Sequence, residues 1–334
     1  MPTLSRLHTS SRATRLSRLS LYHAGQVRED TLIDDIVCSS IWDELFSELR
    51  WPRPMCWFAV RIPFKRLLVG HADAGRFKGD VDLMGGPLSF DREDIDRAMA
   101  QGRSELATLD AAWARHGRSI EPDPMLIERA ARERAGRELV WNGKMKWPPD
   151  FSAGFTAAEV KVAVFSAEGR LKRTEEGSGH AIRKQARRLC ELGFDRVALV
   201  RALVTEAASV PGCNPWMVAG ANAGQGGYEL AERLVIKEDD PFGTLLAPLG
   251  AIPDRPESEA GAGGICIIKP IPNNPLRVDP CVDNRRRHIL DVLSRELAAF
   301  PVPTSNPVVV RDCTKCKRLF VSAGITVQPC SRCG

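Results

Sequence analysis

Ala157-Ala158-Glu159-Val160-Lys161-Val162-Ala163-Val164-Phe165 is the stretch on which the fold turns. Its valines and its length predict a β-strand bounded by irregular chain. Successive side chains on a strand point to opposite faces. Glu159 and Lys161 therefore share one face, and Val160, Val162 and Val164 share the other. An acid and a base side by side on an otherwise apolar strand are costly to bury unless they are paired or bind a cation.

Upstream, Lys78-Gly79-Asp80-Val81-Asp82-Leu83-Met84-Gly85-Gly86 reads as a short strand closed by glycines, with Asp80 and Asp82 on one face. If the two strands are neighbours, one of these aspartates approaches Glu159. Two carboxylates a few ångströms apart favour a divalent cation between them, and Mg²⁺ suits such oxygen donors. Lys161 would then orient water or stabilise charge on an attacked phosphate. Asp150, in Pro149-Asp150, competes for the aspartate role; the flanking prolines, Ser and Gly suit a turn better.

Further signals extend the pattern outward. Cys56–Ile62 reads as a strand. Residues 29–50 read as an amphipathic helix, with Ile33, Val37, Ile41, Leu45 and Leu49 at i+4 spacing. Residues 91–140 are rich in Ala, Arg and Glu and read as helical, broken by prolines at 122–124. After the Glu159 strand comes a helix over 180–192, which Ser178 could cap and Gly193 follows. Arg196–Val204 is the next strand. The order predicts an α/β core with a mixed sheet.

These residues resemble the PD-(D/E)XK, restriction-endonuclease-like nuclease superfamily. The resemblance rests on Asp82 in Gly79-Asp80-Val81-Asp82-Leu83, on Glu159-Val160-Lys161, and on the helix and strand that follow, with Lys184-Gln185 on that helix. It covers roughly residues 29–205. It implies Asp82 and Glu159 as ligands of Mg²⁺ or Mn²⁺, with Asp80, like Asp150, as an alternative to Asp82 at the metal, Lys161 as the water-positioning base, Gln185 near the reaction, and Glu44 or Glu48 as a further acid. The 76 residues between Asp82 and Glu159 exceed the usual spacing and imply a helical insertion at about 91–148. The implied activity is endonucleolytic hydrolysis of DNA, of the kind found in bacterial defence, restriction or mobile elements.

At the other end, Cys313-x2-Cys316 and Cys330-x2-Cys333 have the spacing of a tetrahedral, four-thiolate structural Zn²⁺ site, a zinc ribbon. The other six cysteines, mostly in apolar runs, read as buried thiols. Residues 311–334 hold five basic residues and one acidic, which suits nucleic acid or a purely structural role. From 170 to 201 there are nine Lys/Arg against four acids; Ile182, Ala186 and Leu189 form the buried stripe of the helix. Arg183, Lys184, Arg187 and Arg188 are then the residues to meet a phosphate backbone. His180, just ahead, reads as an ordinary polar contact.

The whole chain of 334 residues is 43% hydrophobic and 27% charged, with net charge +5, which fits a globular protein and permits a nucleic-acid partner. No apolar run is long enough to span a membrane. Residues 1–28 carry five arginines and no acid. They fit a basic arm, an organellar transit peptide or sequence upstream of the true start; otherwise the chain reads as cytoplasmic. The expected organisation is an arm (1–28), a nuclease-like core (29–210), a Pro/Gly-rich accessory region (211–305) that is irregular apart from a helix over 284–299, and the zinc ribbon (306–334). The accessory region or the ribbon would hold a homodimer or protein-partner surface. Two alternatives to a nuclease stand: a catalytically silent nuclease-fold subunit that binds nucleic acid or assembles with partners, and a nucleotidyltransferase. The latter lacks Gly-Ser ahead of its aspartate pair.

Overall fold

The computed structural model describes residues 55–115, 124–165, 171–174, 179–205, 237, 239–248, 266–303, 308–313, 315–322, 330 and 333. The expected helix at 29–50, with Glu44 and Glu48, and the basic arm lie outside the described residues, as does most of 206–265. The chain is a mixed α/β protein that divides into two compact units.

The unit that holds Met84–Thr156 contains β1 (Cys56–Pro63), most of β2 (Asp80–Pro87), β10 (Val308–Asp312) and β11 (Leu319–Ser322), in the order β11-β10-β1-β2. Trp57, Phe58 and Ala59 of β1 run parallel to Val308, Val309 and Val310. All six are buried, so this strand pair is apolar on both faces and shows no alternation. The first residues of the expected ribbon thus belong to the same sheet as β1. The strand β2 does not close at its glycines but continues through Gly86 to Pro87. A Cβ on Gly86 would lie 3.1 Å from the Gly154 carbonyl oxygen and 3.2 Å from Trp57 Nε1, so close approach explains this glycine.

The expected helical insertion forms as α2 (Arg92–Arg115) and α3 (Pro124–Trp141), after the single turn α1 (Phe64–Leu67). Ala98, Met99, Ala131, Ala135 and Leu139 make its seam, and Gly102 lets Ala131 approach. A two-stranded ribbon, β3 (Ser89–Phe90) with β4 (Met145–Lys146), closes its base. The expected helix at 284–299 is α5 (Pro280–Leu297), which starts earlier because Pro280 opens it and Asp279 accepts the Cys281 N–H at 2.8 Å.

The other unit holds Val81–Leu83 of β2, then β5 (Thr156–Phe165, from Ala157), β6 (Leu171–Thr174), α4 (Gly179–Leu192), β7 (Arg196–Thr205), β8 (Gly243–Pro248) and β9 (Cys266–Lys269). The order is β2-β5-β7-β8-β9, with β6 antiparallel on β5. β7 and β8 are parallel; β8 and β9 are antiparallel. The region after 210 was expected to be irregular, yet β8 and β9 extend the sheet from within it. They are short apolar runs between prolines, which periodicity alone does not reveal. Asn274, 5% exposed, ties this unit together: its amide donates to the carbonyls of Cys190 and Phe194, both at 2.8 Å.

Candidate functional site

Asp82, Glu159 and Lys161 meet inside one unit. They come from β2 and β5, which are neighbouring strands. The ammonium of Lys161 lies 2.9 Å from Glu159 Oε1 and 3.8 Å from Asp82 Oδ2. Asp82 Oδ2 also accepts the Val160 N–H at 2.8 Å, so a carboxylate serves the strand where a carbonyl normally would. The three residues are 5%, 4% and 6% exposed. Two carboxylates and one ammonium sum to one formal negative charge in a nearly dry setting, where electrostatic interactions are strong.

Asp80 is elsewhere occupied: its carboxylate faces Arg61 at 3.7 Å. Asp150 makes the turn that its neighbours suggested, accepting from the Ser152 N–H at 2.9 Å, and is exposed. The strands therefore bring Asp82, and not Asp150, to Glu159 and Lys161.

On α4, Ile182, Ala186 and Leu189 are buried as expected. Gln185 is half-buried, and its Oε1 is enclosed without a hydrogen-bond partner. Lys184 and Arg187 are exposed and Arg188 is half-buried. Arg183 departs from the expected outward face. Its Nε donates to Asp240 Oδ2 at 2.8 Å, with both side chains largely enclosed (16% and 7% exposed). The bidentate pair holds the Arg183 guanidinium above its usual pKa. Arg183 thus anchors α4 to Asp240, three residues ahead of β8. His180 lies in the first turn of α4.

Two buried polar residues carry a signal that the sequence pattern leaves unread. Arg201, 1% exposed, sits mid-strand in β7, a charge in an apolar run just as Glu159 and Lys161 are. Thr244, also 1% exposed, pairs in register with Leu199.

The four C-terminal thiols form the second cluster. Cys313, Cys316, Cys330 and Cys333 offer sulfurs that all lie within 4.8 Å of one another and could hold a metal ion. The Cys313–Cys333 and Cys316–Cys330 separations are 3.9 and 3.5 Å. Tetrahedral sulfur ligands around zinc stand about 3.8 Å apart, so the set is consistent with a structural zinc. Backbone N–H groups of Cys316 and Cys330 bring the Cys313 thiol down to about 6. The first knuckle closes by Lys317 N–H to Cys313 O (2.8 Å) and Cys313 N–H to Arg318 O (2.9 Å). That turn puts Lys317 at φ 57, a left-handed conformation costing a non-glycine residue about 1 kcal/mol. Glu296 braces the knuckle by accepting the Leu319 N–H at 2.9 Å and the Arg66 guanidinium at 2.7 Å.

Among the remaining cysteines, Cys56 and Cys190 are buried as expected, and burial pushes the Cys190 thiol up to about 12. Cys281 is exposed, contrary to expectation, because it sits in the first turn of α5. No described helix is long and apolar enough to cross a membrane. No known family model matches the chain, and neither any curated protein nor any solved structure matches it.

Proposed function

We propose that the chain is a Mg²⁺-dependent endonuclease with a restriction-endonuclease-like core, acting on DNA, and that its C-terminal cysteines hold a structural Zn²⁺. The observation that carries this reading is the convergence of Asp82, Glu159 and Lys161 from two neighbouring strands. The order β2, β5, α4, β7 fits the same reading.

The residues present fit a hard divalent cation. Asp82 and Glu159 supply oxygen donors, and the cluster's formal charge is negative. When bound, the cation would supply charge neutralisation at the attacked phosphate and acidify the attacking water. The chain's own residues do the rest. Asp82 is fixed by the Val160 N–H, which donates to its Oδ2. Glu159 holds the Lys161 ammonium, which aligns the attacking water and carries charge off the phosphate in the transition state. Lys184 and Arg187, both exposed, steer the strand by its phosphates, with Arg188 beside them.

The enclosure of the triad favours one rival. An internally paired, 4–6% exposed cluster also suits a silent nuclease-fold subunit that binds nucleic acid without cutting it. Calorimetric titration of Mg²⁺ into zinc-loaded protein separates the two. Binding that Glu159→Gln abolishes supports the nuclease. Absence of binding in folded wild type supports the subunit.

A further inference from the structure

A cavity lies at the first knuckle of the thiol cluster. It measures about 500 Å³ and opens to solvent. That is within the range of about 300–1,000 Å³ typical of small-ligand sites. Its lining includes Arg295 near the C-terminal end of α5, Phe300 three residues past that end, and Cys316, Lys317 and Arg318 of the knuckle turn. Arg66, clamped by Glu296, also lines it.

The chemistry of the rim is specific. Arg295, Lys317 and Arg318 are all exposed, three cations around one concavity. Arg295 spends little on its helix neighbour Asp291, since that pair is 3.4 Å apart and both side chains are more than half exposed. Phe300 brings an aromatic side chain to the same cavity and packs against Cys313, Phe320 and Cys330. Lys317 adopts a left-handed backbone that glycine would adopt freely. Lys315, two residues earlier, reaches the Cys333 carbonyl at 3.5 Å.

We infer that this cavity is a nucleotide-binding subsite for an unpaired stretch of a nucleic-acid strand. Lys317, Arg318 and Arg295 would grip its phosphate, and its base would lie against Phe300. A base inside a duplex cannot enter such a cavity, so the ligand is single-stranded nucleic acid. The inference rests on the nucleic-acid reading above and adds an anchor independent of cleavage.

The test is fluorescence anisotropy of a labelled single-stranded oligonucleotide with zinc-loaded full-length protein, without added Mg²⁺. Lys317→Glu with Arg318→Glu should weaken binding by about tenfold or more. It should also flatten the slope of log affinity against log salt by about 0.7 for each phosphate no longer gripped. Phe300→Leu should weaken binding with the salt slope intact. Zinc content is read in each variant. Unchanged affinity in the double variant overturns the subsite, as does loss of zinc together with affinity, since the cations would then serve the metal cluster. Displacement by an acidic peptide but not by a mononucleotide assigns the cavity to a protein partner and also overturns it. Cleavage is scored separately. Strong, pocket-dependent binding with no cleavage sinks the nuclease and keeps the subsite; cleavage with pocket-independent binding does the reverse.

Discussion

Single residues carry the chemistry, and their tests differ in kind. Asn274 is a structural residue: its side chain satisfies two buried carbonyls and accepts the Leu276 N–H at 3.0 Å. Asn274→Ala should lower unfolding free energy by about 2–3 kcal/mol, read by urea denaturation, because those carbonyls lose their donors. Asp73 gives a pH test. Its carboxylate is held below its ordinary value of 3.8, chiefly by a hydrogen bond from Arg285 at 2.6 Å. A depressed folded-state pKa means that the unfolded chain binds more protons in that range. The contribution is therefore complete above about pH 4 and disappears as pH falls through the depressed value. Asp73→Asn should flatten that acid limb in thermal melts from pH 5 down to pH 2; an unchanged limb would show that the pairing does not matter. The Glu-x-Lys strand is legible because charge in an apolar run stands out. Arg201 gives the same signal, but it closes a stretch already dense in Lys and Arg and does not stand out there.

Elements show where pattern reading succeeds and fails. The helices α2, α3 and α4 are legible from composition, prolines and a buried stripe. The strands β8, β9 and β10 are not, because short apolar runs do not alternate, and Gly243 hides its role until Ile271 is seen crowding it. On α4 the stripe gives the buried face but not the fate of Arg183, whose partner Asp240 lies 57 residues away. Arg183→Met should thus act on stability, costing about 3 kcal/mol by leaving Asp240 enclosed and unpaired. Lys184→Ala with Arg187→Ala should leave the melting temperature nearly unchanged and weaken DNA affinity. A large affinity loss with no stability loss in Arg183→Met would reverse this assignment. The knuckle predicts its own metal dependence. One zinc per chain is expected by elemental analysis, and chelation should unfasten the β10–β11 end and lower the melting temperature. Full stability after zinc removal would count against a structural role.

At the scale of the molecule, the chain joins a carboxylate–lysine cluster in one compact unit to a thiol cluster in the other. Neighbouring strands bring residues 82 and 159 together across 76 residues of intervening chain, much of it the α2–α3 insertion. Spacing alone could not choose between Asp80, Asp82 and Asp150; strand adjacency and the Arg61 contact of Asp80 supply what the sequence lacked. The decisive experiment for the nuclease reading is nicking of supercoiled plasmid with Mg²⁺ by wild type, Asp82→Asn and Lys161→Met, each verified as folded and zinc-loaded. Wild type should nick the plasmid, chelation of Mg²⁺ should abolish the nicking, and both variants should lack it. Nicking retained in Lys161→Met, or none from folded wild type, would contradict the reading.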